Sequence, residues 1–222
     1  MSASAEGAAA APRPVAPGDP APDFRLPTVH EEGVVSLATY RGRSPVLVAI
    51  FRGLWCPFCR RAIVELGSAT DRLRALGVET LGIVATDVAN ARLYFKHRPT
   101  RVPLAADPEC GIHRAYGLPK APMNAETMAV LGATKINPTG ELPEPLPIFE
   151  AAPALDRVHG FQATATDQDE FQRQVGQFKG QFLIDRDGIV RWTNIEGAAE
   201  GVSGLGKFPS AAELIEAARV VA

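Results

Sequence analysis

Two of the chain's three cysteines stand three residues apart, in Trp55-Cys56-Pro57-Phe58-Cys59-Arg60-Arg61. Thiols at that spacing can cycle between dithiol and disulfide or supply half of a metal site. They can also seat a nucleophilic thiolate beside a second thiol that resolves its product. The residues ahead, Pro45 to Phe51, form an unbroken apolar run rich in β-branched side chains, which predicts a strand buried on both faces. From Pro57 to Leu76 the pattern turns helical. Ile63, Leu66, Leu73 and Leu76 share a face, and Arg61, Glu65, Asp71, Arg72 and Arg74 are left for water. Proline suits a first helical position because its missing N–H would be unpaired there. Cys56 is therefore expected at a helix N-terminus, where free N–H groups and the helix dipole favour a thiolate. Cys59 falls one turn in on the same face, at a Cα separation of roughly 5 Å that permits a disulfide. It suits resolving a mixed disulfide better than starting an attack. Arg52, Arg60 and Arg61 are close enough in sequence to add positive potential, although Arg60 and Arg61 also read as a solvated helix face.

The elements that must position this site alternate in type. Phe24 to Leu37 reads as two short strands around a Glu-Glu-Gly turn, and Val78 to Thr86 as a second buried strand. Residues 87–98 read as a helix stopped by Pro99, 102–107 as a third strand and 108–117 as a short helix. This β-α-β-α-β order implies parallel strands with helical crossovers. Residues 180–196 form a hairpin turned by Asp187-Gly188, and Ser210 to Glu213 matches a capping box opening a last helix. Between 119 and about 178, prolines at 119, 122, 138, 143, 145, 147 and 153 interrupt the pattern, and Thr166-Asp167 is expected to open a helix running toward Phe178. That region reads as an insertion, either a lid or oligomer contact or a surface excursion without a catalytic role.

The whole is one domain over residues 21–222, preceded by an alanine- and proline-rich flexible tail over 1–20. With 46% hydrophobic and 22% charged residues in 222, the chain has the composition of a soluble globular protein. A net charge of −2 excludes the broad positive field that nucleic-acid binding needs. The tail lacks the cationic start of a signal peptide, and nowhere are there the ~20 apolar residues of a membrane span. An odd cysteine count does not suit a secreted disulfide scaffold, so a cytoplasmic protein with reduced thiols is expected.

Three stretches resemble the alkyl hydroperoxide reductase and thiol-specific antioxidant family, the peroxiredoxin-like branch of the thioredoxin fold. They are Gly18 to Cys59, "AADPECGIHRAYGL" ending at Leu118, and "KGQFLIDRDGIVRW" from Lys179; the likeness covers 17–118 and 179–220. The resemblance implies an α/β thioredoxin-like fold: a central mixed sheet flanked by helices, an N-terminal β-hairpin, and the insertion before the final hairpin. It implies Cys56 as the attacking thiolate and Cys59 as its resolving partner. Arg52, Gly53, Trp55, Pro57 and Phe58 support the site, and Lys179 stands where the family has an activating arginine. A peroxide or disulfide substrate follows, with an external thiol reductant of the thioredoxin or glutaredoxin kind. No cofactor is implied, and a homodimer is compatible with the family. Two family residues are replaced. The peroxide-binding threonine falls on Gly53 and the shielding proline on Ala49. The "WCPFC" segment is similar to thioredoxin and glutaredoxin dithiols, yet the cis-proline of those folds falls on Gly180-Gln181. A disulfide oxidoreductase is therefore the alternative to a peroxidase.

Cys110-Gly-Ile-His113 is itself a C-x-x-H pair, and with Cys56 and Cys59 it would complete a Cys₃His zinc site. Against this, it belongs to another β-α unit. Cys110 otherwise reads as a small buried hydrophobe and His113 as a solvent-facing helix residue. A copper-handling module would need a distant ligand from His97, His113 or His159, none at a telling spacing.

Overall fold

A computed structural model describes residues 13–221. Its centre is a five-stranded mixed sheet in the order β5-β4-β3-β8-β9, made of β3 (Val46–Phe51), β4 (Glu79–Val84), β5 (Leu104–Ala106), β8 (Gly180–Ile184) and β9 (Val190–Ile195). Strands β3, β4 and β5 are parallel, joined by crossovers through α1 (Pro57–Ala75) and α2 (Val88–His97). The last hairpin closes the sheet antiparallel to β3, with Gly188 at φ +83° in its turn. A small hairpin of β1 (Arg25–Pro27) and β2 (Val34–Ser36) precedes the sheet. This is the mixed α/β architecture expected from the alternation.

Strand β3 is buried along its whole length because both its faces carry core. Leu47, Ala49 and Phe51 point to the layer holding α1 and the final helix α7 (Ala211–Ala218), which Ser210 and Glu213 cap as expected. Val46, Val48 and Ile50 point to the opposite layer, against Phe182, Ile112 of the short helix α3 (Gly111–Ala115) and Tyr116, its C-cap. A strand that serves two cores has no freedom to slip register, since one residue of slip would exchange its two faces. Its C-terminal end is therefore a rigid platform for the residues that follow, Arg52 to Cys56.

The region 119–178 is structured. It holds α4 (Ala125–Ala133), a two-residue hairpin of β6 (Lys135–Ile136) and β7 (Leu146–Pro147), α5 (Ile148–Val158) and α6 (Ala165–Gln174). Pro153 sits inside α5, in a helix whose Ala151 and Leu155 are fully buried; tertiary burial offsets the lost backbone bond. Helix α6 begins two residues earlier than expected: Thr164, not Thr166, is its N-cap, in a reciprocal capping box with Asp167. Residues 1–12 of the expected tail lie outside the described residues. Residues 13–20, expected with it, are instead docked: the Val15 N–H donates to the Tyr116 carbonyl, Gly18 to Val190, and Pro20 bridges Ile189. No described helix is long and apolar enough to cross a membrane.

Candidate active site

Cys56 is the N-cap of α1 and Pro57 its first residue; the Cys56 Sγ accepts the Cys59 backbone N–H at 3.3 Å. Both thiols are buried and free. Burial alone would push the Cys56 thiol up. A hydrogen bond from Cys59 and the charges of Arg52 and Lys179 outweigh it, against opposition from Glu196, and bring Cys56 down from 9.0 to about 5. Cys59 moves the other way, raised well above the ordinary thiol by burial and by its bond to Cys56. One thiolate is thus stabilised by a neighbouring thiol that keeps its proton.

The charges come from three places in the chain. Arg52 follows β3, and its guanidinium grips both carboxylate oxygens of Glu196 at 2.8 and 3.1 Å and donates to the Gln177 carbonyl. Lys179, just before β8 and only 1% exposed, donates to the Gly206 carbonyl at 2.9 Å and lies 3.7 Å from Glu196. Glu196, just past β9, also accepts the Gly206 N–H. Burial pushes the Glu196 carboxyl up, but Arg52, Lys179 and that N–H hold it below its ordinary value. Two buried cations and one carboxylate leave a surplus positive charge, which a Cys56 thiolate cancels; an uncompensated buried charge is what the fold avoids. The loop can reach this cluster because residue 206 is glycine, at φ +81°, where a Cβ would stand 3.0 Å from the Phe58 ring.

All the expected site residues converge here, with one shift of role. Lys179, which the resemblance sets at the family's activating arginine, supplies a charge, and the two-pronged carboxylate clamp that lysine cannot make comes from Arg52. Nothing local in the sequence marks Glu196, because only the pairing of β9 with β8, itself beside β3, carries it to Arg52. The same holds for Gln174. From α6, its Oε1 accepts the Gly53 N–H at 2.9 Å and the Trp55 Nε1–H at 3.0 Å, and its Nε2 donates to the Ala85 carbonyl. Trp55 meets Phe171 of the same helix edge to face, ring centres 5.0 Å apart. The insertion therefore locks the loop that presents Cys56.

At Gly53 and Ala49, where the resemblance sets a threonine and a proline, the structure leaves room for neither. A Cβ on Gly53 would lie 2.7 Å from Trp55 Cδ1 and 3.0 Å from the Ala85 carbonyl oxygen, so a threonine does not fit beneath the tryptophan. Ala49 pairs with both Gly82 and Gln181 in mid-sheet, a position at which proline would break the ladder. The described peptides include no cis bond, and Gly180 belongs to the ladder opposite Ile50.

Two expectations are corrected. Arg60 is not solvated: it is 4% exposed, donates to the Leu54 carbonyl and Asp156, and stacks on Phe161 at 3.7 Å. His113 does not face solvent but is fully buried, with both ring nitrogens unpartnered; burial and the charge of Arg52 lower it to about 3. Cys110 is half-buried at the N-cap of α3. Among the described residues no three His, Cys, Asp or Glu side chains cluster as metal ligands, so the Cys₃His reading finds no support. His97 is exposed, and His159 contacts Glu141 and Arg60 rather than the cysteines.

A mixed α/β domain with a buried dithiol, one thiol strongly depressed at a helix N-terminus, defines a thiol-based oxidoreductase. The AhpC/TSA family model matches residues 17–193, and the chain belongs to that family. Its fold is similar to a 2-Cys peroxiredoxin from Plasmodium vivax, at a TM-score of 0.58 and 18% identity over 94% of this chain and 81% of that one. It is also similar to peroxidoxin BcpB from Mycobacterium tuberculosis, at 0.56 and 15% over 93% and 96%. At these identities the likeness is one of fold. No curated protein matches the sequence.

Proposed function

We propose that the protein reduces hydroperoxides through a Cys56–Cys59 redox couple. The observation that carries this reading is the Cys56 sulfur, held near pKa 5 between Arg52 and Lys179 on the wall of an open cavity. The Cys56 thiolate attacks the terminal peroxide oxygen, the O–O bond breaks, and the departing alkoxide takes up a proton to leave as alcohol. Cys56 is then a sulfenic acid. Cys59 attacks its sulfur, water leaves, and a Cys56–Cys59 disulfide results. An external dithiol of the thioredoxin or glutaredoxin kind reduces that disulfide by exchange and becomes oxidised in turn. Such a cycle suits a reducing cytoplasm, and a homodimer accords with the family.

A second reading, disulfide oxidoreductase, is favoured by Gly53, which offers no hydroxyl where the family binds peroxide. Stopped-flow oxidation of the reduced protein, followed by Trp55 fluorescence, separates the two. Oxidation by hydroperoxide is expected to outrun oxidation by a model disulfide by decades, and Cys56→Ser to abolish both. A faster disulfide reaction would put the second reading first, and peroxide consumption undiminished in Cys56→Ser would sink both. Cys59→Ser is expected to stop at the sulfenic acid, trapped by a cyclic 1,3-diketone.

A further inference from the structure

Two buried groups near Cys56 have no hydrogen-bond partner among the described residues. One is His113, which is 0% exposed and has both ring nitrogens unpaired. The other is the Nε–H of Arg52, whose two Nη groups are taken by Glu196 and the Gln177 carbonyl. A buried polar atom without a partner costs free energy, and native folds keep few of them. His113 carries that cost twice, at a core position where leucine would carry none.

The two groups belong to one corner of the fold. The Gln177 carbonyl accepts from Arg52, and the Gln177 Nε2 donates to the Leu118 and Pro119 carbonyls at 3.3 and 2.9 Å. The Leu118 N–H in turn donates to the His113 carbonyl at 2.8 Å. That path ties the C-terminal end of α3 to the guanidinium. The charges agree with it: after burial, Arg52 is the largest cause that lowers His113, ahead of Arg114. A buried histidine beside cations stays neutral, so one ring nitrogen carries a proton and the other a lone pair. A guanidinium has donors and no acceptor, so the pairing has a single sense, with Arg52 donating and His113 accepting.

We infer that His113 is a positioning residue for Arg52: its unprotonated ring nitrogen takes the Nε–H and fixes the plane of the guanidinium beside Cys56. Glu196 and Gln177 hold only the Nη end of that group, about which the plane can still tilt. A contact at Nε, from α3, removes the tilt and keeps the charge on the sulfur. His113 touches no reacting atom; its effect passes through Arg52. The inference rests on Cys56 being the reacting thiolate, as in the reading above, and not on which oxidant that thiolate meets.

The test titrates the Cys56 thiolate by its absorbance before any oxidant is added. The groups acting on that sulfur are Cys59, Arg52, Lys179 and Glu196, and a substitution at position 113 alters none of them directly. His113→Leu is expected to raise the Cys56 titration by about one unit. His113→Gln, whose side-chain oxygen can accept the same N–H, is expected to restore most of that shift. Oxidation of His113→Leu by hydroperoxide then slows about fivefold at pH 5, as the thiolate fraction falls, and stays unchanged at pH 8. Its melting temperature should hold or rise, since two unpaired polar atoms leave the core. A histidine that only fills space would move the melting temperature and leave the titration in place. An unmoved titration in folded His113→Leu overturns the inference, as does an equal shift in His113→Gln. The unaltered protein gives a check that no folding defect can obscure. With ¹⁵N label, the Arg52 Nε–H should couple across a hydrogen bond to a His113 ring nitrogen, and absence of that coupling overturns the inference. If the shifts appear while no hydroperoxide is consumed, the peroxidase reading fails and the positioning role stands.

Discussion

Cys56 and Cys110 both stand at the N-cap of a helix, yet their thiols are driven in opposite directions. Cys56 caps the nineteen-residue α1 from an extended backbone, accepts an N–H from it, and faces Arg52 and Lys179. Cys110 caps the five-residue α3 from a left-handed backbone at φ +53°, makes no side-chain cap, and lies beside Asp107. Burial raises Cys110 first and Asp107 adds to it, so that the thiol rises to about 11 despite Arg114, Lys120 and Arg173. Cys56 is the more deeply buried of the two and still falls to about 5. A helix N-terminus by itself therefore does not make a reactive cysteine. The sign is set by whether the sulfur is aimed at the helix N–H groups and by which charges are buried with it.

The largest expected difference is in catalysis. Cys56→Ser removes turnover by orders of magnitude, whereas Cys110→Ser leaves it unchanged within twofold. Thiolate absorbance of the reduced protein should show a titration near pH 5 that Cys56→Ser deletes, and one near 11 that Cys110→Ser deletes. Exchange of these two assignments would break the contrast.

Next comes stability against pH. Cys56 titrates near 5 folded and near 9.0 unfolded, so between those values the unfolded chain holds the extra proton and stability rises with pH. The full window is worth on the order of 5 kcal/mol, at 1.36 kcal/mol per unit. Below pH 5 that contribution is lost. Above 9 the raised Cys59 reverses the slope, because the unfolded chain then loses a proton that the folded one keeps. Denaturant unfolding of the reduced protein at pH 5 and pH 8 measures it. Cys56→Ser should flatten the curve and Cys110→Ser should not; equal slopes in all three proteins would refute the buried thiolate.

Glu196→Gln tests the charges around Cys56. It leaves Arg52 and Lys179 buried without their carboxylate, and breaking one partner of such a set costs about 3–5 kcal/mol. The Cys56 thiol should fall further, since Glu196 is the charge that opposes its ionisation. A rise of that thiol would mean that Glu196 acts chiefly by aiming Arg52.

How much of this contrast the sequence disclosed depends on how local each cause is. The strand–proline–helix grammar around Cys56 lies within thirty residues, and β3, α1 and the N-cap were legible from it to within a residue. Lys179 was legible only through the family resemblance. Glu196 and Gln174 were not legible, because they reach Arg52 and Gly53 across 144 and 121 residues and only the finished sheet and α6 bring them there. Arg60 and His113 were misplaced for the same reason. Their helix faces looked wet until α5 and the sheet covered them. Prolines concealed α5 of the insertion, since Pro153 breaks the local helical signal while the burial of Leu155 restores the helix.

The smallest effect is expected at the other end of the comparison. Asp107 has two duties beside Cys110: its Oδ2 accepts the Ile112 N–H at 2.8 Å, and its charge raises the thiol. Asp107→Asn retains an oxygen that can accept that N–H and removes the charge, so α3 should persist. Cys110 should then titrate below 11 by about a unit or less, because burial, the larger cause, is untouched. Cys56 should not move. Titration of the Cys56→Ser, Asp107→Asn double variant isolates the Cys110 signal. A fall of several units would make charge rather than burial the dominant cause at Cys110, and the two cysteines would then differ in electrostatics alone.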